Sequence, residues 1–507
     1  MATKPASLRD FIRLLEDHDA LARIEVPVSP ELEIAEITDR ISKAPAPQNK
    51  GLLFMHPDGA TMPVALNLFG SHQRMKLALG LEPTHDADYS ELQQRLLQFI
   101  KPPKAASMMD KLKLLPMLAD AGKFFPKTVK SAPCQEVVVT DTAQPMLDML
   151  PILTCWPQDG GPFITMPVVF TKDPETGHQN AGMYRLQKYD NCTTGMHWHK
   201  HHDGNRLYEA ARRAGKDYVE VAVALGAPPH VVYAATAPLP PGIDEMIFAG
   251  FLHQSPVDMV PCKTVDLEVP AQSEIILEGR VPVDELRWEG PFGDHTGVYS
   301  LADDFPVFHL TAVTHRHNPI YLTTIVGKPP QEDLYLGGAT EHIFLPLLNL
   351  FIPEITDMHM PAEGVFHNCL IVSMEKRYPG HTRKIMHSIW GFGQLMFSKY
   401  IIVVDADVDV RNLSDVAWRV FNHTDPKRDT VISEGPLDIL DHACPRWAYG
   451  SKLGIDATIK TAAEDDFQRD WPDEIVMDEA TRQKVDQRWT DYFSQTHQKS
   501  PRQPVSV

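Results

Sequence analysis

Two stretches of the 507-residue chain concentrate side chains able to do chemistry. The first reads Asn180-Ala181-Gly182-Met183-Tyr184-Arg185 and resumes at Thr193-Thr194-Gly195-Met196-His197-Trp198-His199-Lys200-His201-His202. Its four histidines within six residues are unusual in an acidic chain. Imidazole ligates borderline metals, cationic and N–H-donating groups hold phosphate oxygens, and an amide oxygen such as that of Asn180 adds a hard ligand. A metal or phosphate site and a solvated polar loop are equally good readings of this stretch taken alone.

The second stretch is Glu289-Gly290-Pro291-Phe292-Gly293-Asp294-His295-Thr296-Gly297. Its two carboxylates, five residues apart on a loop punctuated by Gly and Pro, converge only if the loop folds back. Convergence would suit acid/base work, because paired carboxylates push one pKa up and leave a proton available near neutrality. From spacing alone, a turn with solvated acids is the better reading. Glu245, beside Asp244 at the start of an expected helix, is by itself a helix-dipole acid. Asp405-Ala406-Asp407-Val408-Asp409 lacks the glycine and later glutamate of a calcium loop, so it reads as solvated strand-end acids. GxGxxG, GxxxxGK[ST], HExxH and GxSxG are absent, which removes motif support for Rossmann, P-loop, zinc-protease and serine-hydrolase chemistry.

These stretches need a scaffold, and the composition provides for one: 43% hydrophobic and 23% charged residues are ordinary for a globular chain of several domains. A formal charge of −19 disfavours nucleic acid as a partner. The six cysteines form no CxxC pair and suit a reducing compartment. The first residues lack an apolar signal core, and no apolar run approaches a membrane span. The expectation is a cytoplasmic protein, with peripheral membrane association left open.

Ser7 is expected to cap a helix carrying Leu8, Phe11, Ile12 and Leu15, and a second helix follows near Ile34, Ile37 and Ile41. Strands at Leu52–Met55 and Val64–Phe69 complete a small N-terminal α/β unit. From about Cys134 to Thr324 strands dominate, with a hairpin at Asp173-Pro174-Glu175-Thr176-Gly177 and one helix near Asp244–Leu252. Strands this frequent predict a curled sheet or barrel. After Lys328-Pro329-Pro330, strands Leu370–Ser373 and Tyr400–Val404 flank a helix, giving another α/β unit. Val485, Trp489, Tyr492 and Phe493 predict one apolar stripe on a terminal helix that docks on its own body or on a neighbouring subunit.

Together the segments resemble the UbiD family of prenylated-FMN decarboxylases, most closely the bacterial 3-polyprenyl-4-hydroxybenzoate decarboxylases of ubiquinone synthesis. Asn180–Arg185 followed by Glu289–Gly297 is the specific part. Leu8–Leu15, Met62–Gly70, Cys155-Trp156-Pro157, Val223–Gly226, Phe248-Ala249-Gly250, Gly327–Pro330 and Gly450–Thr458 extend it along nearly the whole chain. The resemblance implies an α/β (α+β) protein in three parts: an N-terminal α/β domain over 1–125, a split β-barrel-like domain binding prenylated FMN over 126–330, and a C-terminal α/β domain with an oligomerisation helix over 331–507.

It implies Arg185, Glu289 and Asp294 as the catalytic set, with Asp294 giving the proton from a raised pKa after carbon dioxide leaves. It implies Asn180, Glu245 and His201 as ligands of a divalent metal, Mn2+ above all, with K+ as a further ion, beside the flavin phosphate. Met183, Tyr184, Arg185, His197, Trp198, His199, His202 and Asp203 would line the cofactor, with Asn180 and Glu245 beside them and Lys399 as a further phosphate contact. The implied partners are an aromatic carboxylic acid substrate, a flavin prenyltransferase as cofactor supplier, and further copies of the chain in a dimer or hexamer.

One departure stands out. Ubiquinone-type members carry Arg where His197 and His202 stand here, and His197-Trp198-His199 resembles members acting on other phenolic or heteroaromatic acids. A decarboxylase of a smaller acid, reversible at high carbon dioxide, is therefore the second expectation. A flavin carrier without turnover is the third, and it leaves the Arg185, Glu289 and Asp294 set without a purpose. In a regular strand Asn180 and Arg185 would face opposite sides, which calls for a bulge near Gly182 or for Asn180 to lie outside the strand.

Overall fold

A computed structural model describes residues 4–100, 122–199, 203–239, 243–464 and 470–493, except for the side chains of 98–100 and 203. The chain folds as two compact units. One is drawn from Met1–Leu347, Ala362–Phe366 and Ile439–Ala443, the other from Leu348–Pro361, His367–Asp438 and Cys444–Val507.

In the first unit, Ser7 caps the helix Leu8–Asp17 by accepting from the Asp10 N–H, and Leu8, Phe11, Ile12, Leu14 and Leu15 are buried. A four-stranded sheet follows in the order Leu21–Ile24, Gly51–Phe54, Val64–Leu66, Tyr321–Leu322. Its fourth strand comes from far along the chain, so the N-terminal and central segments interlock. The expected boundary near residue 125 adjoins 101–121, which lie outside the described residues.

The central sheet runs Thr193–Gly195, Asp303–His315, Ile275–Pro282, Tyr218–Leu225, Val168–Lys172, Gln179–Met183, each pair antiparallel. The 13-residue strand Asp303–His315 is its spine, pairing also with Leu286–Glu289 and Val137–Val139. Alternation in Tyr218–Leu225 serves two cores. Val219, Val221, Val223 and Leu225 enter one, while Ala222 and Ala224 enter the other. Among the described residues the outermost strands, Gln179–Met183 and Thr193–Gly195, do not pair with each other, so the sheet is open where a barrel was an option. The physical reason is that the chain leaves the sheet after Met183 and pairs Leu186–Gln187 with Phe163–Ile164 instead.

The second unit holds a five-stranded sheet ordered Ile355–His359, Cys369–Met374, Tyr400–Asp405, Tyr449–Asp456, Thr430–Pro436. The inner three strands are parallel, and helix His381–Trp390 connects the first two of them with Ile385, Met386 and Ile389 buried. The terminal stripe differs from expectation. Two short helices, Glu479–Gln487 and Trp489–Tyr492, are broken at Arg488, neither buries a side chain, and Tyr492 and Phe493 are exposed.

Candidate active site

The loop after strand Leu286–Glu289 folds back on itself, pairing Phe292–Gly293 with Tyr299–Ser300. The reversal starts at Gly290, whose φ of +95° suits glycine. Its N–H donates to Gln187 Oε1 at 2.7 Å. Gly293 lies against the Trp156 indole so closely that an added Cβ would sit 2.1 Å from the ring. The Gly293 N–H donates to Asp159 Oδ1 at 2.8 Å, while Asp159 Oδ2 accepts from the Cys155 and Trp156 N–H groups. The carboxylate loop is thereby clamped from both sides.

This brings Glu289 and Asp294 to one guanidinium. Arg185 donates from Nε to Glu289 Oε1 at 3.2 Å, from one Nη to Asp294 Oδ2 at 2.6 Å and from the other to Ser300 Oγ at 3.1 Å. The Phe292 ring packs beneath it, 4.4 Å from the guanidinium carbon. The geometric difficulty with Asn180 is resolved without a bulge. Register is continuous across Gln179–Met183, and Arg185 lies beyond the strand's end, free of its alternation.

The two carboxyls titrate in opposite directions. Burial pushes Glu289 up against the countervailing charge of Arg185. Burial would also raise Asp294, but hydrogen bonding from His295 and the charge of Arg185 outweigh it and hold this carboxyl well below the usual range. This reverses the expectation for Asp294. The raised member of the pair is Glu289, because Asp294 accepts from His295, whose Nδ1 lies 2.9 Å from Oδ1, and also has the shorter contact to Arg185.

Glu289 is flanked on its other side by His197, whose Nδ1 lies 2.6 Å from Oε1; His197 Nε2 lies 2.7 Å from His199 Nε2. The Phe305 ring lies against the His197 ring, tilted by 32° with centroids 4.3 Å apart. Glu289 Oε2 is buried without a hydrogen-bond partner among the described residues, over the backbone of Gly195 and near the Tyr189 hydroxyl. Burial, with Glu289 close by, pushes the Tyr189 phenol up.

On strand Gln179–Met183, the Ala181 N–H donates to Glu245 Oε2 at 3.1 Å, so Glu245 meets the Asn180–Ala181 backbone. Asp244, not Glu245, caps the helix Glu245–His253, accepting from the Met246 and Ile247 N–H groups. Among the described residues there is no group of three or more His, Cys, Asp or Glu able to hold a metal. His201 and His202 lie outside the described residues, and Asp203 is described only as the first residue of helix Asp203–Arg213.

Tyr184 arches over Gly182, and its hydroxyl accepts from the Gly204 N–H at 3.3 Å. Trp198 packs on Gly204, and its buried Nε1 has no partner among the described residues. Met183 ends the strand, half-buried against the core. Lys399 belongs to the second unit, where its N–H donates to Asn368 and its carbonyl accepts from Leu453.

Sequence reasoning assigned no role to Trp156, Asp159, Gln187, Ser300 or His295. The signal for His295 was its place next to Asp294. The clamp residues gave none, because they act through backbone groups of a loop distant in sequence.

Family models match most of the chain. The 3-octaprenyl-4-hydroxybenzoate carboxy-lyase N-terminal domain matches residues 12–96, the Rift-related domain 127–329 and the C-terminal domain 334–457. The chain belongs to the UbiD family. It is accordingly an enzyme, a carboxy-lyase of the UbiD class. An uncharacterized protein of Archaeoglobus fulgidus is 50% identical over 96% of this chain and 98% of its own. Among solved structures, the Sedimentibacter hydroxybenzoicus vanillic acid decarboxylase in closed form matches with TM-score 0.82 at 28% identity, covering 97% of this chain and 99% of that one. An evolved dimeric form of the UbiD-class enzyme HmfF from Pelotomaculum thermopropionicum, in complex with prenylated FMN, matches with TM-score 0.75 at 27% identity, covering 94% and 98%.

Proposed function

We propose that this UbiD enzyme removes carbon dioxide from an aromatic carboxylic acid without net oxidation, using prenylated FMN and a divalent metal. The carrying observation is Arg185 held between two buried carboxyls that titrate in opposite directions, beside a carboxylate oxygen without a partner among the described residues. The donor set fits the cofactor. The buried Trp198 Nε1 and Glu289 Oε2 are groups a polar ligand would satisfy, and Asn180 with Glu245 offers hard oxygen donors for Mn2+, His201 being the third ligand of the proposal. Prenylated FMN, when bound, supplies the electron sink that an aryl carbanion needs.

The chain's own residues do the rest. Arg185 binds the substrate carboxylate and orients it. Asp294, released from Arg185 as the substrate takes the guanidinium, protonates the carbon that lost carbon dioxide. His197 and Arg185 together fix the Glu289 carboxyl.

The substrate we favour is 3-polyprenyl-4-hydroxybenzoate, on the family descriptions matched. A smaller phenolic or heteroaromatic acid, with the reaction reversible, is the second reading. It is favoured by His197, which fills against Glu289 a position given to Arg in ubiquinone-type members, and by the likeness to a vanillic acid decarboxylase. We further propose a cytoplasmic location with peripheral membrane contact, a flavin prenyltransferase as supplier, K+ as a second ion, Lys399 as a further phosphate contact, His202 lining the cofactor, and a dimer or hexamer.

The test is protein purified from cells that also express a flavin prenyltransferase. A modified-flavin absorbance together with carbon dioxide release from one of the two acid classes is expected. A colourless preparation, or a coloured one inert toward both classes, overturns the reading.

A further inference from the structure

Asp294 is an awkward proton donor as it stands. Arg185 and His295 both pair with it, and the His295 backbone N–H adds a third donor at 2.8 Å, so it rests as the carboxylate. An ionised carboxylate only accepts, so the His295 Nδ1–H must be the donor of the 2.9 Å bond. The imidazole is held on three sides. Asp294 faces its edge, and the Phe366 ring stacks on its plane, 5.3 Å between centroids at 26°. Helix Glu332–Phe351, which packs on Phe366 at Gly337, brings the Asp333 carboxyl into its field.

The Asp333 Oδ1 accepts from the Leu334 N–H, and its Oδ2 is sealed from solvent without a partner among the described residues. Burial pushes this carboxyl up to about 7, and His295 is the largest charge opposing the shift. The neighbouring acid, Glu332, is engaged otherwise, accepting from the Phe69 N–H and the Thr324 hydroxyl. Among the described residues, the charged groups around His295 include Asp294 on its own loop, Arg185 through Asp294, and Asp333 on the helix. An ionised carboxylate at hydrogen-bond distance favours the charged form of an imidazole.

We infer that His295 is the proton store for this reaction, recharging Asp294 across their hydrogen bond. The inference rests on the decarboxylase reading above. When a substrate carboxylate takes the Arg185 guanidinium, Asp294 loses its closest cation and its proton affinity rises. The Nδ1–H bond of His295 breaks and an O–H bond forms on Asp294, leaving a neutral imidazole and a neutral acid. Asp294 passes that proton to the ring carbon, which holds the electron pair of the broken bond to carbon dioxide. Water then reprotonates His295, so each turnover consumes one solvent proton.

The test is His295→Asn, whose amide keeps a donor near Nδ1 but stores no proton. Flavin and metal content should be unchanged. At neutral pH kcat should fall at least tenfold with KM within about twofold, and the alkaline limb of the wild-type pH–kcat profile should disappear. A variant with near wild-type kcat overturns the inference. So does a slow variant that keeps the alkaline limb, since that is mere structural damage.

A second measurement needs no turnover. In cofactor-free protein with ring-labelled histidine, the resonance absent from His295→Asn is that of His295, and Asp294→Asn should move its titration to lower pH. An unmoved titration overturns the pairing of His295 with Asp294. A wild type that binds the flavin but decarboxylates nothing sinks the functional reading instead, and the titration is still read.

Discussion

His197 Nδ1 lies 2.6 Å from Glu289 Oε1, with both side chains buried. Even so, burial pushes the Glu289 carboxyl up. A carboxyl raised on folding binds its proton more tightly in the native state, so its stabilising contribution is complete below the ordinary glutamate pKa and is lost as pH rises through the elevated native value. Glu289→Gln removes that titration. The stability of wild type relative to this variant should decline from about pH 4 upward, measured by denaturant unfolding of cofactor-free protein at several pH values. A pH-independent difference would count against the assignment.

Asp294 behaves in the opposite sense. Its carboxyl is depressed on folding, so its contribution is present above the ordinary aspartate pKa and is lost as pH falls below it. Asp294→Asn keeps the shape but leaves a group that relays no proton. Flavin and metal should stay bound while turnover falls by roughly 10²-fold or more. Arg185→Ala should damage both, because it strips the partner from two buried carboxyls. Absorbance spectra and rates together separate the two variants, and near wild-type turnover in Asp294→Asn would move the donor role to Glu289.

The Ser7 cap, the helix His381–Trp390 and the hairpin between Val168–Lys172 and Gln179–Met183 were legible because capping, helical spacing and turn chemistry are local. The convergence of Glu289 and Asp294 was legible only as a condition, since spacing does not say whether a loop folds back. What decides it is non-local. Gln187 holds Gly290, Asp159 holds Gly293 and Trp156 fills the space beside it. The direction of the two titrations was illegible for the same reason, resting on how deeply each carboxyl is buried and on which of them takes the His295 hydrogen bond and the shorter contact to Arg185. Tyr321–Leu322 joining the N-terminal sheet likewise left no trace in local pattern.

Adjacent acids at the start of helix Glu245–His253 divide their tasks. Asp244 caps, and Glu245 reaches Ala181. Asp244→Ala should therefore cost about 1 kcal/mol of stability. Glu245→Gln should leave the melting temperature nearly unchanged while lowering metal content by elemental analysis and flavin content by absorbance. Full metal and flavin occupancy in Glu245→Gln would remove the proposed ligand.

The terminal segment offers Val485 and Trp489 half-buried and Tyr492 and Phe493 exposed, with the Trp489 and Phe493 rings 4.5 Å apart. Exposed aromatic surface of this kind is commonly covered by a partner. Truncation before Asp478 should lower the mass seen by light scattering to that of a smaller assembly. An unchanged mass would mean that the segment takes no part in assembly.

The position of Asp294 depends on the absence of a single carbon atom one residue earlier. The Trp156 indole occupies the space a Gly293 side chain would need, also lies against Gly327, and is fixed by its Nε1–H donating to the Val326 carbonyl at 2.8 Å. Because the indole is pinned, Gly293→Ala must displace the loop instead, lengthening the hydrogen bond from the Gly293 N–H to Asp159 and carrying Asp294 away from Arg185. A misplacement of roughly 1 Å at a reacting group costs on the order of 10²-fold in rate. Gly293→Ala should therefore lose turnover by about that factor while retaining the flavin, since none of the proposed cofactor contacts lies on this loop. Trp156→Phe in the same chain shortens the obstructing ring and should recover part of the rate. If the double variant is no faster than Gly293→Ala alone, the indole is not what holds the loop in register, and the tie from Asp159 to Gly293 becomes the contact to dissect.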